Sequence, residues 1–244
     1  MNDAISIADV DAAAARLEGV VVRTPLLQNN ELDLAAGGRV LVKPECFQRI
    51  GSFKIRGAYN LLRQLTPQQA SRGVVAWSSG NHAQGVALAG KLLGIHAAIV
   101  MPEDAPHAKL KNTRALGGEV ITYNRYSEDR EAIARRIAAE RGAKVVPSFD
   151  HPDIIAGQGT VGLEIAEQSQ KLGLAVDQVL ICCGGGGLTS GSAVALKARL
   201  PDVSIYAVEP AGFDDTMRSL QAGQRVRVDP EARSICDALL TESP

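Results

Sequence analysis

The stretch Val74-Val75-Ala76-Trp77-Ser78-Ser79-Gly80-Asn81-His82 decides the fold. A four-residue apolar run stops at a polar turn, and a helical pattern from His82 to Leu93 follows, closed by Gly94. The same unit repeats downstream. Ala97 to Met101 is apolar and stops at Pro102, Pro106 to Leu116 reads as a helix, and Val120 to Tyr123 reads as a strand. A helix rich in Ala and Arg opens at Ser127-Glu128-Asp129-Arg130-Glu131 and ends at Gly142, before the short strand Val145-Val146. Continuous apolar strands alternating with amphipathic helices predict a parallel sheet covered on both faces, an α/β fold.

Outward from this core the pattern resumes with a helix over Gly157 to Leu172, a strand over Val179 to Cys183, a helix over Ser190 to Leu200 and a strand over Ile205 to Glu209. Earlier in the chain, Val20 to Leu26 and Val40 to Lys43 read as strands, and Phe53 to Leu65 as a helix. Breaks near Pro67 and Phe149 predict a small domain, residues 68–149, set into a larger one made of residues 1–67 and 150–244.

Composition narrows the function. With 26 Lys+Arg against 27 Asp+Glu in 244 residues, the chain has no basic footprint for nucleic acid or an anionic membrane. No apolar run is long enough to span a bilayer, and the N-terminus lacks a basic-then-apolar signal pattern, so a cytoplasmic protein is expected. Cys46, Cys182, Cys183 and Cys236 form no CxxC pair, and the four His are scattered, which argues against zinc. Cys182 and Cys183 end an apolar run and are expected to be buried as small hydrophobes.

In open parallel sheets ligands bind beyond the carboxyl ends of the strands. Gly184-Gly185-Gly186-Gly187 follows such an end and precedes a helix. Four glycines let backbone N–H groups approach an anion closely, and the helix adds its positive end. The loop lacks the Lys-Ser/Thr of a P-loop and the spaced glycines of a dinucleotide fold, so a phosphomonoester cofactor fits better; a tight turn is the plainer alternative. Ser78 to His82 offers hydroxyls and free amides for a carboxylate, or simply an N-cap from Ser79 or Asn81. Lys54 is either a surface lysine or, if desolvated, a nucleophile for an aldehyde.

The segments Gly51-Ser52-Phe53-Lys54-Ile55-Arg56-Gly57-Ala58, Ser78-Ser79-Gly80-Asn81-His82-Ala83-Gln84-Gly85 and Gly184-Gly185-Gly186-Gly187-Leu188, in that order, resemble the fold-type II pyridoxal-phosphate enzymes, specifically the threonine/serine dehydratase and serine racemase family. That resemblance implies two open, twisted, mainly parallel sheets with helices on both faces, as in tryptophan synthase β-like folds. It implies that Lys54 carries the cofactor as a Schiff base, with Phe53 packed beside it, Asn81 on the ring 3′-oxygen and Gly184, Gly185, Gly186 and Gly187 on the phosphate. Ser78, Ser79, Asn81 and His82 would hold the substrate carboxylate. The implied activity is a threonine/serine ammonia-lyase. A serine or aspartate racemase and a hydroxyaspartate dehydratase are alternatives within the enzymes, and a non-catalytic cofactor-binding fragment is an alternative outside them. Ser79 matches the racemases' acid/base on the opposite face of the cofactor, or caps its helix. Glu209, Phe213 (by its carbonyl) and Asp215 match the family's divalent-cation loop, which suits Mg²⁺, Mn²⁺ or Ca²⁺. A homo-oligomer is expected by the same analogy. Family members usually continue past the position of Pro244, where a Ser, Thr or Cys faces the pyridine nitrogen. No residue here takes that role, so a piece of a longer enzyme is expected, with apolar faces left unburied.

Overall fold

The computed structural model describes residues 5–244. The elements in chain order are α1 (Ile7–Leu17), β1 (Leu27–Gln28), α2 (Asn30–Ala36), β2 (Leu41–Val42), α3 (Lys54–Leu62), α4 (Pro67–Arg72), β3 (Val74–Trp77), α5 (Asn81–Leu93), β4 (Ala97–Pro102) and α6 (His107–Ala115). They continue with β5 (Glu119–Tyr123), α7 (Arg130–Arg141), β6 (Lys144–Val145), α8 (Pro152–Lys171), β7 (Gln178–Cys182), α9 (Gly187–Arg199), β8 (Ser204–Val208) and α10 (Asp215–Ala222).

Four strands form an all-parallel sheet in the order β5-β4-β3-β6. Side chains alternate between its faces, as the two-residue period of a strand requires. Val74, Ala76, Ala97, Ile99 and Met101 join a core with α1, α3, α5 and α8. Val75, Ala98 and Val100 face α7, where Ala134, Ile137 and Ala138 cover them. A second parallel pair, β7-β8, lays Ile181 against Ala166 of α8 and Leu196 of α9. On its other face Leu180 is 67% exposed, Tyr206 50% and Val208 44%.

Three departures from the sequence reading have physical causes. Val20 to Leu26 is not a strand. Its backbone groups are taken by side chains instead: Gln48 bonds both the N–H and the C=O of Val22, and Lys43 and Gln168 donate to the Thr24 carbonyl. Helix α8 begins at Pro152 rather than Gly157, because Pro suits a first turn and His151 Nδ1 accepts from the Asp153 N–H. Its glycines do not break it; they let two other helices approach. A Cβ on Gly157 would lie 2.6 Å from Gly57 Cα of α3, and one on Gly162 would lie 2.6 Å from the Ser192 carbonyl of α9. Finally, Cys183 is buried but Cys182 is exposed, because neighbours on a strand face opposite sides.

Candidate active site

Lys54 is the first residue of α3, with Phe53 as its N-cap. The Phe53 ring lies under the amine, 5.4 Å from Nζ to the ring centroid. Nζ donates to the backbone carbonyl of Ser148 at 2.9 Å, and no carboxylate pairs with it among the described residues. Desolvation therefore acts unopposed and lowers the amine to about 8, although part of the residue's surface stays open. An amine so held is a nucleophile near neutral pH.

The first turns of α5, which follow the polar turn after β3, lie against the same lysine. Helix α5 passes so close that a Cβ on Gly85 would sit 3.1 Å from the Lys54 carbonyl carbon. His82 is buried, and its Nε2 meets the Val146 carbonyl at 3.1 Å. Burial, with the Lys54 charge nearby, lowers the imidazole to about 3, so it stays neutral. The cap of α5 is Gly80, with no side-chain hydrogen bond; neither Ser79 nor Asn81 caps the helix. Ser78 Oγ instead accepts from the Gly80 N–H at 3.1 Å.

The glycine loop reaches the lysine through one segment that sequence reasoning missed, residues 146–149 after β6. Ser148 accepts from Lys54, and its neighbour Phe149 packs on the loop. A Cβ on Gly185 would meet the Phe149 ring at 2.4 Å, and one on Gly187 would meet Phe149 at 3.1 Å. Gly186 has φ +79°, the left-handed region, and caps α9. A Cβ there meets nothing nearer than Ser190 Oγ at 3.8 Å, so the loop is open on that side. The Leu239–Thr241 segment borders Gly184, where a Cβ would lie 3.1 Å from Thr241 Oγ1. The signal that points to 146–149 is position alone: it lies at the carboxyl end of a parallel strand, where ligands bind.

Pyridoxal phosphate fits these residues. Its aldehyde needs an amine that is partly neutral, which Lys54 supplies. Its phosphate needs convergent N–H groups on an open glycine cradle. Ser52 Oγ, two residues before Lys54, and Thr189 Oγ1, two residues after the glycine loop, are buried with no hydrogen-bond partner.

The cation loop is different. Both Glu209 oxygens accept backbone N–H groups at the start of α10, from Thr216 at 2.9 Å and Met217 at 3.0 Å. Phe213 is buried, and Asp215 Oδ2 is buried without a partner. Among the described residues, no three His, Cys, Asp or Glu side chains gather as a metal would require.

Comparisons with known proteins identify the family. The chain is 47% identical to an L-threo-3-hydroxyaspartate ammonia-lyase of a Pseudomonas species, over 96% of this chain and 72% of the relative. Maize serine racemase superposes with a TM-score of 0.92 at 41% identity, covering 98% of this chain and 71% of that one. A T.th. threonine deaminase also gives 0.92, at 43% identity, covering 98% and 76%. The family model described as pyridoxal-phosphate dependent enzyme matches residues 17–244. On this match, and on an amine, a polar turn and a glycine cradle joined by residues 146–149, the chain belongs to the pyridoxal-phosphate dependent enzymes.

Proposed function

We propose that the protein is an ammonia-lyase for 3-hydroxy amino acids, with L-threo-3-hydroxyaspartate the first candidate substrate, ahead of threonine and serine. The observation that carries the chemistry is the desolvated Lys54 amine held against Ser148, beside the polar turn. The order of substrates follows identity: 47% over 234 residues to the hydroxyaspartate enzyme, against 41% over 240 residues to an L-threonine ammonia-lyase of Thermotoga maritima. Pyridoxal phosphate, when bound, supplies the electron sink that makes the Cα proton removable. The Lys54 amine holds the aldehyde and, once released, takes that proton at Nζ. Phe53 packs beside it, and Asn81 bonds the ring oxygen. Backbone N–H groups of Gly184 to Gly187 hold the phosphate. Ser78, Asn81 and the amides through His82 orient the substrate carboxylate, with the positive end of α5 behind them. Net, a water leaves and a water returns, so hydroxyaspartate gives oxaloacetate and ammonia.

The test follows ammonia and 2-oxo acid from the three substrates in parallel with cofactor-loaded protein. Hydroxyaspartate is expected to lead by at least about tenfold in kcat/KM. Release from none of them overturns the lyase reading, and a lead by threonine overturns the substrate order. A second reading, racemisation, is favoured by Ser79, since no cap role occupies it. Ser79→Ala is expected to end interconversion of L- and D-serine while elimination stays within about threefold. Equal loss of both overturns that role.

The divalent cation at Glu209, Asp215 and the Phe213 carbonyl belongs to the same proposal, supported by the orphaned Asp215 oxygen. Added Mg²⁺ is expected to raise the melting temperature by about 5 °C, with chelator reversing it. No shift with Mg²⁺, Mn²⁺ or Ca²⁺ overturns the cation.

A further inference from the structure

Beside the site lies a buried ionic cluster of Arg56, Lys43, Glu45 and Glu164. Arg56 is 0% exposed and stands two residues after Lys54 on α3. Its guanidinium grips two carboxylates at once. Nε and Nη2 donate to Glu45 at 2.8 Å each, and Nη1 and Nη2 donate to Glu164 of α8 at 2.7 and 3.1 Å. Nη1 also reaches Thr160 Oγ1 at 3.1 Å. Lys43 donates to the Glu164 Oε2 that Arg56 Nη2 also reaches and to the Thr24 carbonyl, and Thr24 Oγ1 donates to Glu45 at 2.7 Å. Two cations and two carboxylates thus cancel, and each is hydrogen-bonded.

Such a cluster is a poor device for stability alone. Desolvating four charges offsets most of their attraction, and well-packed apolar side chains would serve as well. What it does supply is geometry. Glu45 precedes Lys54 and Arg56 follows it, so the Arg56–Glu45 fork closes residues 45–56 into a loop. Glu164 then fastens that loop to the long helix α8. Gln48, inside the loop, is tied at Val22, and α5 presses on the Lys54 backbone from beyond. The loop carries Lys54, with Phe53 beside it, so its closure bears on the direction of the lysine side chain.

We propose that Arg56, through its paired forks to Glu45 and Glu164, is the positioning residue that fixes where the Lys54 amine points. The proposal rests on the reading of Lys54 as the cofactor lysine. A planar fork with fixed donors is needed; a lysine at this place keeps the charge but loses the paired bonds.

The experiment uses cofactor-loaded wild type, Arg56→Lys, Arg56→Met, Glu45→Gln and, as a control, Leu196→Ala in the separate core of α8, α9 and β7. Borohydride reduction followed by peptide mass spectrometry comes first. A wild type with no adduct at Lys54 overturns the cofactor-lysine reading, and this proposal with it. With the adduct present, both Arg56 variants are expected to lose about a hundredfold in kcat at nearly unchanged KM, with a displaced visible band, because a misaimed group costs rate rather than binding. Leu196→Ala, with a comparable drop in melting temperature, is expected to keep kcat and band. Wild-type kcat and band in the Arg56 variants, or equal losses in the control, overturn the positioning role. Should the Arg56 variants fail to fold, Glu45→Gln keeps the Glu164 fork and is expected to lose about tenfold in kcat; a wild-type result there overturns the proposal.

Discussion

Lys54→Met is expected to end both the borohydride-fixed adduct and at least about 10⁴-fold of the activity, since the nucleophile and the base are one amine. The same substitution has a second signature, in protein freed of cofactor. The amine sits at about 8 in the fold for lack of solvent and of any carboxylate, against an ordinary lysine in the unfolded chain. Between roughly pH 8 and 10.5 the unfolded chain therefore binds a proton that the folded one does not. Stability must rise with pH across that window, by up to about 3 kcal/mol, and level off below about pH 8, where both states carry the proton. Lys54→Met removes that dependence and is the more stable protein near neutrality. Urea unfolding of both proteins at pH 7.5 and 10 isolates the effect, because other groups titrate in both. A wild-type-minus-variant difference that stays flat with pH would show that the amine is solvated.

Gly191→Ala is expected to be the most damaging small substitution in the fold. Its Cβ would fall 2.1 Å from the Ile155 carbonyl and 2.7 Å from the Gly159 nitrogen, both backbone atoms of α8. Backbone within a twenty-residue helix cannot yield as a side chain does. The loss should exceed about 4 kcal/mol, or at least about 8 °C in melting temperature, while Lys197→Ala on the exposed side of α9 stays within about 0.5 kcal/mol. A melting temperature within about 3 °C of wild type would mean that the two helices do not cross so tightly. Helix α9 begins at Gly187, so the same displacement disturbs the glycine loop.

How much of this was legible in the chain depends on the range of the interaction. Val74 to Trp77 and Ala97 to Met101 announce themselves because strands buried on both faces read as unbroken apolar runs. Lys54, the polar turn and the four glycines are contiguous motifs, and the fold sets all three around residues 146–149. The misses are of another kind. Ser148 and Val146 act through backbone carbonyls, which carry no side-chain signature. Arg56 meets Glu164 across 108 residues, and no local pattern pairs them. Helix α1 is the exception, legible locally but not read: Val10, Ala13 and Leu17 recur at helical spacing, and Asp9 accepts from the Ser6 N–H at its start. The strand expected at Val20 to Leu26 failed because β propensity says nothing of distant side chains that claim the backbone first.

Trp77, the chain's one tryptophan, ends β3 immediately before Ser78, with the Arg135 guanidinium 5.9 Å from its ring centroid. The protein thus carries its own optical gauge. Among these 244 residues no other indole adds to its ultraviolet emission, and it stands next to the polar turn. A chromophore absorbing in the near ultraviolet will drain that emission by resonance transfer as it loads, so occupancy can be titrated without label, dye or substrate.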